Sequence, residues 1–207
     1  MQYSSAMVGL RERKKQRTRR ALVDAALRLF VDKGYEETTL AEIAAAAEVS
    51  TRTFFSYFAS KEDVLFYDAE ERMERLLALV ASRGPHESPA DLLLRLIDEI
   101  AYRSGEEQDV TLEETRLRMR LLMSVPPLQA RALFLLFDTQ LRLAQALCEA
   151  YPGRLDPLDA AAAVGALTGA VKLAAMAAIS RGASLEESSD TARRAAALAV
   201  SGLRSLG

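Results

Sequence analysis

The sequence predicts an all-α protein, with an N-terminal three-helix unit followed by a six-helix body. Three observations predict it. Half of the 207 residues are apolar while only 10 are Gly and 6 are Pro, which suits long helices. No alternating β-branched run is bounded by turn residues, so no strand is expected. The stretch Thr38 to Lys61, TTLAEIAAAAEVSTRTFFSYFASK, reads as two short helices joined by a tight turn.

Basic residues open the first helix. Between Gly9 and Arg20 lie seven of them (Arg11, Arg13, Lys14, Lys15, Arg17, Arg19 and Arg20) against one acid, Glu12. They run without a break into an amphipathic stretch bearing Leu22, Ala25, Ala26, Leu29 and Phe30, which Gly34 ends as a C′ residue. Residues 1–62 hold 11 basic and 8 acidic side chains, and the remainder hold 16 and 21. A whole-chain net charge of −2 therefore conceals a basic end and an acidic body, a distribution that favours nucleic acid at that end.

The second helix starts at a capping box, Thr39-Leu40-Ala41-Glu42, and buries Leu40, Ile43, Ala44 and Ala47. Ser50 is a natural N-cap for the third. At 100° per residue, Phe54 and Phe58 share one sector, with Thr51 and Phe55 on its edge. Arg52, Thr53, Ser56 and Tyr57 occupy the opposite side. Such a helix has an apolar face for anchoring and a polar face able to reach guanine edges and phosphates.

The order of basic arm, LFVDKGYEETTLAEIAAAAEVS and TRTFFSYFASKEDVLF resembles the DNA-binding domain of the TetR family of transcriptional regulators over about residues 11–66. Two positions are set against the family pattern: Glu48 stands at a turn position that is often Gly, and Arg52 at a third-helix position that is frequently Gly or Arg, which suggests base reading by its side chain. Phe55 also stands where Tyr is frequent. The resemblance implies that Thr39 and Lys61 touch phosphates at helix N-termini. It also implies that Thr51, Arg52 and Thr53 enter the major groove, that the N-cap Ser50 belongs to the DNA-binding set, and that Phe55 and Tyr57 pack on the sugar-phosphate backbone. Phe54, Phe58, Ile43 and Val49 are assigned to the core.

The body divides at helix breakers. One helix is expected from Lys61 to about Ser82, ended by Arg83-Gly84-Pro85-His86. Others cover about 89–104, 111–124, 128–151, 157–180 and 185–203, so domains of residues 1–60 and 61–207 are expected. Residues 160–180 are long and Ala-rich, with Gly165 and Gly169 at GxxxG spacing. Lys172 near the middle opposes a membrane span, and tight soluble packing is expected instead. The last helix offers a small-residue stripe of Ala192, Ala196, Ala199 and Leu203. These last two helices are expected to form a homodimer, the location the resemblance also implies.

The middle helices carry more bulky, flexible apolar surface than a thin bundle needs, although ordinary core packing accounts for each residue taken alone. The resemblance implies a pocket for a small hydrophobic effector, lipophilic or acyl-CoA-like, lined by Leu96, Tyr102, Met119, Met123, Phe134, Phe137 and Leu141.

Catalysis is not expected. One histidine (His86) and one cysteine (Cys148) cannot build a zinc centre or a His-assisted nucleophile, and no glycine-rich phosphate loop occurs. Cys148 lies on an apolar stripe and reads as a small buried residue. No apolar leader opens the chain, so a cytoplasmic protein without cofactor or membrane anchor is expected. The expected function is a ligand-responsive repressor that binds a palindromic double-stranded DNA operator as a homodimer. An activator of the same fold and a helical protein-interaction adaptor are the alternatives.

Overall fold

A computed structural model describes residues 3–106 and 112–203, with side chains described over 13–99, 113–184 and 186–201. In chain order the helices are α1 (Tyr3–Asp32), α2 (Leu40–Ala46), α3 (Thr51–Phe55) and a 3-10 helix (Glu62–Phe66), then α4 (Ala69–Ala81) and α5 (Pro89–Glu106). There follow α6 (Leu112–Ser124), α7 (Pro126–Ala150), α8 (Pro157–Ser180) and α9 (Leu185–Leu203). Among the described residues there is no strand, so the protein is all-helical as expected.

The chain forms two compact units, Met1–Asp68 with Leu121–Arg131, and Ala69–Arg120 with Ala132–Gly207. The first unit, the head, closes over Leu22, Ala26 and Phe30 of α1, Ile43 of α2, Phe54 of α3, and Phe58 and Val64 beyond it, all buried. Thr38 is buried too, and its hydroxyl is satisfied by donating to the Gly34 carbonyl at 2.7 Å. Gly34 takes a φ of +91° after the last turn of α1, which only glycine adopts without strain. The bend between α6 and α7 belongs to this unit: Leu128 is fully buried, and Arg131 holds Asp63 at 2.8 Å.

One helix from Lys61 to Ser82 does not form. A 3-10 helix is followed by a break at Tyr67-Asp68, and α4 begins only at Ala69. The reason is tertiary. The Arg19 guanidinium donates to the Tyr67 carbonyl, an acceptor that a continuous helix would need for the amide four residues on.

The second unit packs Met73, Leu76 and Val80 of α4 against Leu92, Leu96 and Ile97 of α5. Leu143 and Leu147 of α7, Val164 and Leu167 of α8, and Ala196 and Val200 of α9 complete this core. Each helix contributes residues three or four apart, the spacing that keeps one face inward. Tyr151 is buried here, and its hydroxyl donates to the Glu87 carbonyl at 3.0 Å. Burial raises its pKa. Arg95 grips Glu87 through two hydrogen bonds of 2.8 and 2.9 Å, which fixes the loop between α4 and α5. Cys148 is half-buried against the core, with its thiol 3.4 Å from the Leu155 carbonyl.

The small-residue stripe of α9 points inward. Ala192 and Ala196 are buried within the chain, where α9 packs on α5 and α8, and Leu203 lies outside the described side chains. Ala196 can pack that closely because it has almost no side chain to separate the backbones. The outward face of α9 is instead charged, then Ala197, Leu198 and Ser201. α8 is different, being long and apolar enough to cross a membrane, with little of that length buried inside the chain. Ala160, Ala163, Val164 and Leu167 face the core, while Leu158, Ala161, Ala162, Ala166 and Leu173 are exposed. Gly165 and Gly169 lie within that outer stripe, and a Cβ built on either would meet nothing within 4 Å. The close packing expected of these glycines is therefore absent within one chain.

Candidate nucleic-acid interface

Two local devices position the recognition helix. At the first, the Thr39 hydroxyl accepts from the Glu42 amide at 3.3 Å, and the Glu42 carboxylate accepts from the Thr39 amide at 2.9 Å. This reciprocal capping box starts α2 where the sequence placed it. Glu42 also receives Lys33 at 2.5 Å. The Lys33 bond and the two from Thr39 hold its pKa down to about 2.

The second device is the turn. The Val49 amide donates to the Ala44 carbonyl at 2.9 Å and the Glu48 amide to the Ala45 carbonyl at 3.0 Å. That pair of bonds is a Schellman closure with Glu48 at C′, and Glu48 has a φ of 57°. An L side chain in this conformation costs about 1–2 kcal/mol. Glycine would relieve that but would lose about 0.5–1 kcal/mol more in chain entropy on folding. Glu48→Gly is therefore expected to stabilise the head by about 0.5–1 kcal/mol. Denaturant titration of the purified variant checks this, and a lower midpoint would contradict the strain argument.

Ser50 then caps α3, its hydroxyl accepting from the Thr53 amide at 3.0 Å and lying 2.8 Å from the Thr53 hydroxyl. α3 has only five residues, yet its two faces separate cleanly. Phe54 is fully buried and Phe58 is 4% exposed, with their rings 5.6 Å apart. Ile43 is sealed beneath them, and Val49 is half-buried at the corner. Outside, Thr51 and Arg52 are exposed, while Thr53 and Tyr57 are half-buried. Phe55 is 56% exposed and meets Phe54 edge-on at 5.7 Å. Phe55 thus sets an exposed apolar ring beside the exposed Arg52. Arg52 has no ion-pair partner among the described residues, so its planar donor fork remains presented to solvent.

Lys61 does something the sequence reading did not include. Its ammonium donates to the carbonyls of Tyr35 at 2.7 Å and Thr38 at 3.1 Å, and lies 4.0 Å from the Tyr35 ring centroid. Two of its three protons thus tie down the loop before α2. The Tyr35 hydroxyl donates to Glu62, the next residue, and burial together with that carboxylate drives the Tyr35 pKa up. Arg19 and Arg20 are likewise engaged inside the head. Arg19 lies 5.9 Å from the Phe58 ring centroid and 5.7 Å from that of Tyr67. Arg20 pairs with Asp24 at 2.9 Å and donates to the Tyr67 hydroxyl at 3.3 Å. Apart from the Arg20–Asp24 pair, the contacts of Arg19 and Arg20 reach Phe58 and Tyr67, 39 to 48 residues away, so no local sequence signal marks them.

The residues expected to line an effector pocket are distributed unevenly. Leu96 is buried in the core of the second unit, and Tyr102 lies outside the described side chains. Met119 is half-buried on α6, whereas Met123 is exposed and belongs to the head unit. Phe134, Phe137 and Leu141 are exposed on α7, three and four residues apart and so on one face.

A capped short helix with an anchored aromatic face and an outward Arg, Thr and Tyr face defines a helix-turn-helix DNA-binding protein. Residues 22–67 match the family model described as bacterial regulatory proteins, tetR family. The HTH-type transcriptional regulator TcmR of Streptomyces glaucescens is 39% identical over 127 residues, covering 60% of this chain and 56% of that protein. AcrR of Shigella flexneri is 34% identical over 107 residues, covering 52% of this chain and 48% of that one. The chain thus spans about half the length of these curated relatives. A TetR-family regulator from Mesorhizobium loti MAFF303099 superposes with a TM-score of 0.58 at 21% identity, covering 92% of this chain and 96% of that one. Bacillus subtilis FadR, solved with stearoyl-CoA, gives a TM-score of 0.55 at 21% identity, covering 88% and 97%. These two likenesses show the fold. Residues 22–67 are thus similar to the DNA-binding domain of TetR-family transcriptional regulators.

Proposed function

We propose that the protein is a ligand-responsive transcriptional repressor that binds a palindromic operator as a homodimer in the cytoplasm. The observation that carries this reading is the outward face of α3, where Thr51, Arg52, Thr53, Phe55 and Tyr57 stand opposite a fully buried Phe54. In this reading Arg52 reads base edges, the hydroxyls of Thr51 and Thr53 reach bases or phosphates, and Phe55 and Tyr57 lie along the backbone. Thr39 and Ser50, as N-caps, bring the amide ends of α2 and α3 to phosphates. Lys61 contributes by rigidifying the α1–α2 loop, with one proton left for a phosphate.

Reading a palindrome requires two heads about 34 Å apart in successive major grooves. The outer stripe of α8 supports the dimer: Leu158, Ala161, Ala162, Ala166 and Leu173 are exposed around Gly165 and Gly169, and a twofold partner lying on that stripe would bury them all. Gly169→Leu is expected to split the dimer without lowering the melting temperature of one chain, since a Cβ there has open space. Sedimentation equilibrium reports this, and a Gly169→Leu protein that stays dimeric would move the interface elsewhere.

The effector is a small hydrophobic molecule held in the second unit, with Met119, Phe134, Phe137 and Leu141 as its contacts, Leu96 in the wall behind and Tyr102 completing the set. Adaptable methionine and aromatic side chains suit lipophilic ligands. That FadR of Bacillus subtilis was solved with stearoyl-CoA supports an acyl-CoA-like class. Effector binding shifts α4, whose first residue, Ala69, directly follows Asp68, where the first segment of the head ends. The shift is effective only if the effector prefers the state that cannot hold both half-sites.

Selection from a pool of random duplexes tests this reading. Enrichment of an inverted repeat is expected; no enriched sequence, or one without twofold symmetry, would contradict it.

A further inference from the structure

We propose that the effector carries an oxyanion, a carboxylate or a phosphate, which Lys172 of α8 holds while the hydrophobic remainder lies along α7. The inference rests on the effector reading above and names the ligand class of that site.

Lys172 is a lone cation on an apolar helix. No other charged residue occurs between Asp159 and Arg181. Among the described residues its ammonium has no hydrogen-bond or ion-pair partner. The charge that acts on it is another cation, Arg72 of α4. Arg72 has interactions of its own, so Lys172 is the cation left to take a ligand. Two acids of the neighbouring helices are already held. Arg142 of α7 pairs with Glu70 of α4 at 2.8 Å and with Asp138 at 3.4 Å.

Burial lowers the Lys172 pKa, and Arg72 lowers it further. Yet the side chain keeps much of its surface open to solvent. A group crowded by protein and still open to water lines a depression, not a flat face. A charged ammonium there is unfavourable on its own, and an anion beside it offsets both the lost hydration and the repulsion from Arg72.

The apolar side of the site follows from placement. Thr168, one turn before Lys172, accepts from Gln140 of α7 at 2.6 Å. α7 and α8 are joined by the short connection 151–156 and so run antiparallel. One turn forward on α8 from that pair and one turn back on α7 reach Lys172 and Leu136, beside Phe137. Phe137 is 60% exposed and Leu141, one turn on, 68%. One cation level with exposed apolar surface suits an amphiphile with a single anionic end.

Isothermal titration calorimetry on the full chain tests this with dodecanoate, dodecyl phosphate and dodecanol, each below micelle formation. Wild type is expected to bind one of the anions about 10- to 100-fold more tightly than the alcohol, the gain that a hydrogen bond to a charged group gives. The tighter anion identifies the head group as carboxylate or phosphate. Lys172→Met should abolish the preference and leave the affinity for dodecanol unchanged, whereas Lys172→Arg should keep the preference. Without ligand, the Lys172→Met protein should melt no lower than wild type, because the charge removed is desolvated and unpaired. A drop in melting temperature would mean that the ammonium is already satisfied within the protein, and would overturn the proposal. Dodecanol bound as tightly as both anions, or a preference that survives Lys172→Met, would remove the anion contact and leave a hydrophobic effector standing. If wild type binds none of the three probes, the effector reading falls with it.

Discussion

Phe54→Ala is expected to unfold the head and abolish DNA binding while leaving the second unit folded. Among the described residues Phe54 is the largest fully buried side chain, and its ring packs against those of Phe55 and Phe58. Truncating a buried phenylalanine costs about 3–5 kcal/mol, through lost transfer energy and the cavity left behind. A unit as small as the head has little more than that in reserve. Because α3 is only five residues long, its conformation depends on this anchor and not on helix propensity. Differential scanning calorimetry should show the head transition lost and the second transition kept. A single transition shifted by only a few degrees would mean that α3 is held by other contacts.

Arg52→Ala should behave in the opposite way, leaving stability unchanged while removing discrimination. The side chain is exposed and has no ion-pair partner among the described residues, so its loss leaves nothing unsatisfied within the protein. Bidentate reading of a guanine is worth about 1–3 kcal/mol, so operator affinity should fall about 5- to 150-fold per half-site. Affinity for random duplex should fall far less, since no base is read there. Fluorescence anisotropy on both duplexes measures the ratio. An equal loss on both would make Arg52 a phosphate contact.

Much of the head was legible because its signals are local. The Thr39–Glu42 capping box, the Ser50 cap and the Gly34 stop each act within four residues, and each forms as read. The two faces of α3 followed from its periodicity, and even the misfit of Glu48 in its turn appears as a positive φ. What was missed depends on distant partners. The break before α4 arises because Arg19 captures the Tyr67 carbonyl, 48 residues away. The bonds from Lys61 to the Tyr35 and Thr38 carbonyls, 26 and 23 residues away, went unseen for the same kind of reason. Small-residue stripes show that something packs closely but not what. On α9 the partner is α5 and α8 of the same chain, and on α8 the glycines meet nothing within it. The apolar residues of α5 to α7 were the least legible, since a Leu in a core and a Leu in a cavity wall carry the same sequence pattern. Leu96 is buried among the core residues of the second unit, while Phe134, Phe137 and Leu141 stand exposed.

The central claim is that this head reads a specific DNA sequence, and one titration tests it most directly. The purified protein is titrated into duplex from just upstream of its own coding sequence, and into random duplex of equal length, across a salt series. Binding to the upstream duplex that exceeds random binding by about a thousandfold or more, and weakens steeply with salt, is the predicted result. Affinities that coincide at every salt, for that duplex and for any sequence selected from a random pool, would contradict it.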